Sequence, residues 1–290
     1  MTCCIFGPGL VGSFLGAAAN AHSTQSRQLV CQPIDRLVEL PTGRVRWQPH
    51  VTTNSLVMTS LSEPLLVTTR FHHTSWDTLP AHALAAQNGL GQPIAVIVCF
   101  LALDRDTDGV IRCLGIPRLV VPLQTEKSPW TAVYAAWRQA GLHIDEVADG
   151  APAQWEKAIL NATVGPLCLA TGLSMAEVWA ERDLRQLVLA ATTEGYCIAR
   201  HHHINIASGI EERAAEFFAR IGAHRPSVLT DAGELPHILG YLRQRAHEPT
   251  PALDAIATLV AAGPVAAGPV AAGPVAAGPV AAGQTHRTSR

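Results

Sequence analysis

The fold is decided by a stretch near the N-terminus, residues 3–15, CCIFGPGLVGSFL. Four apolar residues lead into the pattern G-x-G-x-x-G, formed by Gly7, Gly9 and Gly12, and an apolar helical sequence follows. In this pattern the first glycine permits a tight turn, the second lets the backbone approach a pyrophosphate, and the third lets helix and strand pack closely. The phosphates then face free N–H groups at the helix N-terminus. The stretch therefore predicts a Rossmann domain that binds a dinucleotide.

The choice between NAD and NADP depends on the residues near the adenosine ribose. An NAD-binding domain places an acidic residue at the end of the second strand, and the matching segment, Gln28–Gln32, contains none. Asp35 comes slightly late in the sequence. Arg70 can supply a cation to a 2′-phosphate, and Arg27 and Arg36 are alternatives. We therefore expect NADP, with NAD left open through Asp35.

The pattern of apolar residues changes once along the chain. Short apolar runs separated by turn residues predict strands at Cys3–Phe6, Gln28–Gln32, Leu65–Thr69, Ile94–Phe100, Val110–Cys113 and Leu119–Pro122. From Trp130 to Leu259, apolar residues at three- and four-residue spacing predict helices, among them Trp155–Val164, Met175–His201 and Ile210–Ile221. The sequence thus predicts an α/β protein, with an N-terminal Rossmann domain followed by an all-helical C-terminal domain.

We expect an NADP-binding domain at residues 1–145 and a helical substrate and catalytic domain at residues 146–262. The remaining residues, 263–290, form a low-complexity tail. The motif Val-Ala-Ala-Gly-Pro repeats from Val260 to Gly283. Proline at every fifth position interrupts helical hydrogen bonding, and collagen would need glycine at every third position. The tail is therefore predicted to be disordered.

Composition excludes several classes of function. Hydrophobic residues make up 48% of the 290 residues and charged residues 15%, which is typical of a globular protein. A net charge of -2 gives no basic field for nucleic acid, and no apolar run is long enough to span a membrane. The seven cysteines show neither a C-x-x-C pair nor a zinc pattern with histidine. Since the apolar N-terminus also lacks the basic start of a signal peptide, we expect a cytoplasmic protein with reduced thiols and no metal.

Lysine is almost absent from the sequence, because Lys127 and Lys157 are the only two among 21 basic residues. Arginine cannot give up its proton near neutral pH, whereas a partly desolvated lysine can act as a general acid. Lys127 lies in a polar stretch and is expected to be solvated. Lys157 lies in a predicted helix with Asn161 one turn later on the same face. It is a candidate proton donor, and the alternative is an ordinary surface lysine beside an amide.

Several motifs in a fixed order resemble the ketopantoate reductase (2-dehydropantoate 2-reductase) family. After the glycine-rich turn come QNGLG at residues 87–91, WEK at 155–157 with Asn161, SVLTD at 227–231 and GEL at 233–235. The resemblance covers about residues 1 to 260. It implies a Rossmann domain, a helical domain and an active site in the cleft between them.

The resemblance also implies a role for each matching residue. The pyrophosphate of NADPH would be held by Gly7, Pro8, Gly9, Leu10, Val11 and Gly12. Arg70 would contact the 2′-phosphate, Asn88 would lie near the nicotinamide ribose and the substrate, and Glu234 would contact the cofactor or orient the lysine. Lys157 would donate the proton, Asn161 would hydrogen-bond the substrate, and Ser227 would lie near its carboxylate.

The sequence departs from the family pattern at three places. The arginine usual at the end of the second strand is replaced by Cys31-Gln32, the second asparagine usual eight residues after the lysine is replaced by Gly165, and the segment before Glu234 is shorter. We expect an NADPH-dependent reductase that converts ketopantoate to pantoate in pantothenate and coenzyme A biosynthesis, with a 2-oxo acid as its partner and a homodimer as an option. The alternatives are a reductase of another small 2-oxo acid and a catalytically weak NADP-binding protein.

Overall fold

The structure is a computed structural model that describes residues 2–21, 25–29, 33–52, 63–70, 73–86, 90–221, 224, 226, 229 and 232–263. Five predicted features lie outside the described residues: Cys31, Gln32, Asn88, Ser227 and most of the tail, residues 264–290. Nothing in the structure therefore bears on these predictions.

The first sheet contains the glycine-rich turn at its carboxyl edge. Its strands are β1 (Thr2–Phe6), β2 (Gln25–Leu29), β5 (His50–Thr52), β6 (Leu65–Val67) and β7 (Leu84–Ala85). They are parallel and lie in the order β5-β2-β1-β6-β7. This is the strand order of a Rossmann sheet, in which the chain runs outward from β1 first on one side and then on the other. Ligands bind such sheets at the carboxyl ends of the strands.

A second sheet packs beside the first. Its strands are β3 (Arg36–Leu40), β4 (Gly43–Trp47), β8 (Val98–Arg105), β9 (Ile111–Pro122) and β10 (His143–Val147). The order is β10-β9-β3-β4, and β8 pairs antiparallel with β9. The two predicted strands at Val110–Cys113 and Leu119–Pro122 are a single strand, β9. The β3–β4 hairpin and β10 were not predicted, because each strand is only five residues long and its apolar positions are interrupted by charged residues.

Helix α1 (Leu10–Ala21) connects the two sheets. At Gly16 a Cβ atom would lie 2.5 Å from the Trp47 ring of β4 and 2.6 Å from Ile5 of β1, so the helix fits there only without a side chain. Helix α2 (Trp130–Gln139) lies against α1, and the Trp137 indole donates a hydrogen bond to the Leu15 carbonyl at 2.9 Å. These contacts build one apolar core for the N-terminal domain.

The C-terminal domain is helical throughout its described part. It contains α3 (Ala151–Thr171), α4 (Met175–Ala180), α5 (Arg182–His201), α6 (Ile210–Ile221), α7 (Tyr241–Gln244) and α8 (Pro251–Ala262), with a 3-10 turn at Ala232–Glu234 and a π-helical turn at Pro236–Gly240. Helix α3 packs against α5 and α8. The predicted helix Met175–His201 is two helices, because the backbone is extended at Glu181.

The predicted fold class is confirmed, with an N-terminal sheet domain followed by a helical domain. The change from sheet to helix falls between Val147, the last residue of β10, and Ala151, the first of α3. Leu90 and Ala102 of the N-terminal domain belong to the apolar core of the helical domain, so the two domains share buried surface. No helix in the part that the structure describes is long and apolar enough to cross a membrane.

Candidate functional site

The glycine-rich turn has the geometry that a pyrophosphate site needs. Gly7 has a φ of +97°, and a Cβ atom there would lie 2.5 Å from the Thr69 nitrogen. At Gly12 a Cβ atom would lie 2.4 Å from the Gly7 carbonyl oxygen, so the helix packs on the turn only because this residue is glycine. Around Gly9 the space within 4 Å of a Cβ atom is empty. The first N–H groups of α1, whose donors have no partner within the helix, border this space, which fits a bound phosphate.

The segment after β6 joins the turn to the helical domain. Thr68 lies beside Gly7 and donates a hydrogen bond from its hydroxyl to the Gly7 carbonyl. Two residues later Arg70 forms an ion pair with Glu234, with 3.8 Å between Nη1 and Oε2, and both side chains are largely buried. The 3-10 turn of the helical domain carries Glu234. The pair therefore crosses the cleft between the two domains at the carboxyl edge of the first sheet.

This placement bears on how the cofactor would be recognised. Arg70 follows β6, which lies on the opposite side of β1 from β2, while the family's usual phosphate-binding arginine follows the second strand. Asp35 is held by Arg46, with 2.9 Å between Arg46 Nε and Asp35 Oδ1, and these contacts lower the pKa of Asp35. Arg36 has a buried Nε atom that makes no hydrogen bond within the described residues. Arg70 and Arg36 both stay candidates for the 2′-phosphate.

Lys157 lies in α3 and contacts strand β8 of the N-terminal domain. Only 6% of its surface is exposed, and its ammonium donates a hydrogen bond to the Cys99 carbonyl of β8. The alternative of a solvated surface lysine is therefore wrong. An ammonium has three N–H donors, and this is the single hydrogen bond of Lys157 among the described residues, so two donors remain for a ligand.

The surroundings of Lys157 change its acidity. Burial lowers its pKa from 10.5 to about 8, and the neighbouring Glu234 carboxylate opposes this effect. The thiols of Cys99 and Cys113 lie close by, and burial raises their pKa values to about 12 and about 11, so both stay neutral at physiological pH. A lysine with a pKa near 8 keeps its proton at neutral pH but releases it far more readily than an ordinary lysine.

Asn161 lies one turn after Lys157 on α3, as predicted. It is half-buried, and its side-chain amide makes no hydrogen bond to any other described residue. Gly165 follows one turn later and is buried. The helix is longer than the predicted Trp155–Val164, because α3 continues through Pro166 to Thr171, where Gly172 terminates it with a φ of 73°. The three positions Lys157, Asn161 and Gly165 thus form one continuous helix face.

Several neighbouring residues were not identified from the sequence: Gln92, Phe100, Gln154 and Tyr241. The Phe100 ring of β8 lies 5.3 Å from Lys157 Nζ. Across the domain boundary, Gln154 donates a hydrogen bond to Gln92 at 2.7 Å, and Gly91 packs against the Tyr241 ring. The position of Phe100 in a predicted strand was the only available signal. No group of three or more potential metal ligands occurs among the described residues.

Comparisons with known proteins agree with this architecture. Residues 149–263 match the family profile described as ketopantoate reductase PanE/ApbA C terminal. Among solved structures, 2-dehydropantoate 2-reductase from Geobacter metallireducens has a TM-score of 0.74 and 22% identity, and the alignment covers 90% of this chain and 99% of that one.

Two further structures are similar at lower identity. A dimeric ketopantoate reductase from Staphylococcus aureus has a TM-score of 0.69 and 16% identity, with 90% and 98% of the two chains covered. D-mandelate dehydrogenase in a ternary structure with NADH and anilino(oxo)acetate has a TM-score of 0.71 and 16% identity, with 90% and 98% covered. No curated protein sequence matches the chain. The resemblance predicted from the sequence is confirmed, since residues 149–263 match the C-terminal model of the ketopantoate reductase family.

Proposed function

We propose that the chain is an NADPH-dependent reductase of a 2-oxo acid, and that it converts ketopantoate to pantoate in pantothenate and coenzyme A biosynthesis. The observation that carries the proposal is the buried ammonium of Lys157, which has two donors left over and is held against β8 where the two domains meet. Burying a charged lysine costs stability, so a lysine is expected in such a position only where its charge or its proton has a function. A structural lysine would gain more from solvent.

The chain's residues would bind the cofactor and hold the substrate. The pyrophosphate would lie on the backbone of Gly7 to Gly12, and Glu234 would contact the cofactor or orient Lys157. Asn161 would hydrogen-bond the substrate, together with Asn88 and Ser227. When bound, NADPH supplies the hydride that reaches the 2-carbonyl carbon.

Lys157 would supply the proton. As the carbonyl carbon accepts the hydride, its oxygen gains negative charge, and an ammonium N–H within hydrogen-bond reach stabilises that charge and then transfers its proton. The remaining hydrogen bond from Nζ to Cys99 fixes the direction of the lysine side chain. At pH 7 a group with a pKa of about 8 is mainly protonated, which is the form that the reduction needs.

A different 2-oxo acid is the second candidate substrate, and the observation that favours it is Gly165. The family pattern has an asparagine amide there, and glycine offers no hydrogen-bond donor or acceptor from its side chain. D-mandelate dehydrogenase, one of the similar structures, binds anilino(oxo)acetate. A 2-oxo acid with an apolar group in place of the ketopantoate hydroxymethyl would leave no hydroxyl unpaired at this position.

The test is to follow oxidation of NADPH spectroscopically with ketopantoate and with apolar and aromatic 2-oxo acids as separate substrates. Lys157→Ala and Lys157→Arg should bind NADPH nearly as well as the wild type, and both should lose turnover by at least about 100-fold. If arginine restored most of the activity, Lys157 would act only as a charge. If Lys157→Ala turned over normally, or the wild type reduced none of these acids, the chain would be better explained as an NADP-binding protein.

Two properties follow from the same proposal. A homodimer is an option, because one similar ketopantoate reductase is dimeric, and the sedimentation coefficient of the full chain tests it. A cytoplasmic location is in keeping with seven cysteines of which the described ones are all free thiols, and it can be tested by cell fractionation.

A further inference from the structure

The ammonium of Lys157 is in contact with two consecutive residues of β8. Cys99 accepts its hydrogen bond through the backbone carbonyl, and the Phe100 ring centroid lies 5.3 Å from Nζ. A cation within about 6 Å of an aromatic ring centroid is attracted to the negative face of the ring. One short segment of strand thus supplies both a hydrogen-bond acceptor and a π face to the same charge.

The strand is irregular at this point. Phe100 pairs with Arg118 of β9, but Ala102 pairs with Leu114, so two steps along β8 correspond to four along β9. Such irregularities change the direction of side chains and are common beside active sites. The irregularity begins at the residue whose ring contacts Lys157.

A second cation, the Arg118 guanidinium of β9, contacts the Phe100 ring. The Arg118 guanidinium lies 5.1 Å from the Phe100 ring centroid, and its Nε donates a hydrogen bond to Asp145 of β10 at 2.7 Å. Because the hydrogen bond to Asp145 holds the Arg118 guanidinium in place, this guanidinium gives the Phe100 ring a fixed contact within the second sheet. Phe100 is therefore positioned by the second sheet, while the lysine it contacts belongs to the helical domain.

We propose that Phe100 is a positioning residue for Lys157, whose ring holds the ammonium in the cleft and favours its protonated form where water is excluded. The proposal rests on the proposed function only in giving Lys157 a catalytic use; the contact and its effect on protonation stand on their own.

The other groups that face Lys157 do not replace this contribution. Cys99 and Cys113 are neutral thiols, since burial raises their pKa values. Glu234 is negative, but it is shared with Arg70, which reduces its effect on the lysine. Arg118, on β9, is positive and contacts the Phe100 ring, so it supplies no attraction for the ammonium. The ring is thus a source of attraction for the ammonium in addition to the Cys99 carbonyl and the Glu234 carboxylate.

The scarcity of lysine makes a direct measurement practical. Protein labelled with ¹³C-lysine gives signals from Lys127 and Lys157 alone, and Lys127→Arg assigns them. The pH titration of the side-chain ¹³Cε signal would be recorded for the wild type, Phe100→Leu, Phe100→Met and Phe100→Tyr. Phe217→Leu is the matched control, because it removes a partly buried ring of α6 that packs against Phe218.

Phe100→Leu and Phe100→Met keep an apolar side chain but remove the π face, so each should lower the Lys157 pKa by about 0.5 to 1.5. Phe100→Tyr and Phe217→Leu should leave it close to the wild-type value. If either variant of Phe100 that lacks the ring left the pKa unchanged or raised it, or if Phe217→Leu lowered it equally, the proposal would be overturned.

The measurement is separate from the test of the reductase. The ¹³C titration needs neither cofactor nor substrate, so it can succeed even if no 2-oxo acid is reduced. Where turnover is measurable, the fall in kcat at high pH should move to lower pH in Phe100→Leu by the same amount as the pKa. A loss of turnover in that variant with an unchanged pH profile would mean that the ring only fills space.

Discussion

Replacing Lys157 by methionine should change how the stability of the protein depends on pH. In the folded chain the pKa of Lys157 is about 8, and in the unfolded chain it returns to its ordinary value of 10.5. Between these values the unfolded chain binds more protons than the folded one, so the free energy of unfolding rises with pH. Below about pH 8 the folded protein bears the full cost of a buried charge. Methionine has a similar length and no charge, so it removes this dependence.

The structure gives the size of the effect. The two pKa values differ by about 2.5, and each unit corresponds to about 1.36 kcal/mol, which makes the full cost about 3 kcal/mol. Roughly 2 to 3 kcal/mol of it is relieved between pH 7 and pH 10. Since Lys157 is almost fully buried, screening by solvent reduces this value little.

The assay is urea unfolding at pH 7 and at pH 10, applied to the wild type, Lys157→Met and the control Lys127→Met. Lys127 is exposed, so its replacement should leave the pH dependence unchanged. Relative to Lys157→Met, the wild type should gain about 2 to 3 kcal/mol in free energy of unfolding as the pH rises from 7 to 10. A difference that stays constant within about 0.5 kcal/mol would refute the reasoning, because Lys157 would then titrate like a solvated lysine.

Three other substitutions test the site and its support. Gly16→Ala should lower the free energy of unfolding by more than about 1 kcal/mol, because its Cβ atom would lie 2.5 Å from the Trp47 ring. This loss is expected in spite of the better helix propensity of alanine. Thermal denaturation measures the stability, and an unchanged value would count against the contact. Arg70→Ala should narrow the difference in binding free energy between NADPH and NADH by roughly 1 to 3 kcal/mol. If the variant bound both cofactors more weakly by the same amount, the role of Arg70 would be its ion pair with Glu234. Gly165→Asn should lower the KM for ketopantoate about fivefold, the equivalent of about 1 kcal/mol, and a higher KM would favour the apolar substrates.

The sequence predicted the features that depend on local pattern. The strand, glycine-rich turn and helix at residues 3–15 could be predicted together, because the glycines are required by the local geometry of the turn. The helical face of Lys157 and Asn161 follows from four-residue spacing. Even the order of the parallel strands agrees with the fold class that the turn indicates.

Contacts between distant segments could not be predicted in the same way. The ion pair of Arg70 and Glu234 joins positions 164 residues apart, and nothing in either local sequence indicates it. Gly16 resembles any glycine in a small-residue helix until Trp47 is placed against it. The Phe100 ring was assigned to a strand, but its contact with Lys157 depends on the irregular pairing with β9.

The presence of lysine rather than arginine at position 157 has a physical explanation in the structure. Arginine keeps its proton in almost any environment, so a buried arginine must find acceptors for its charge, whereas a buried lysine can lower its pKa. Of the two lysines, Lys127 is exposed in a loop, and Lys157 is the one that the fold removes from water. Arginine at position 157 would bring a larger, permanently charged group against the Cys99 carbonyl and the Phe100 ring. The position therefore favours the one basic side chain that can give up a proton there.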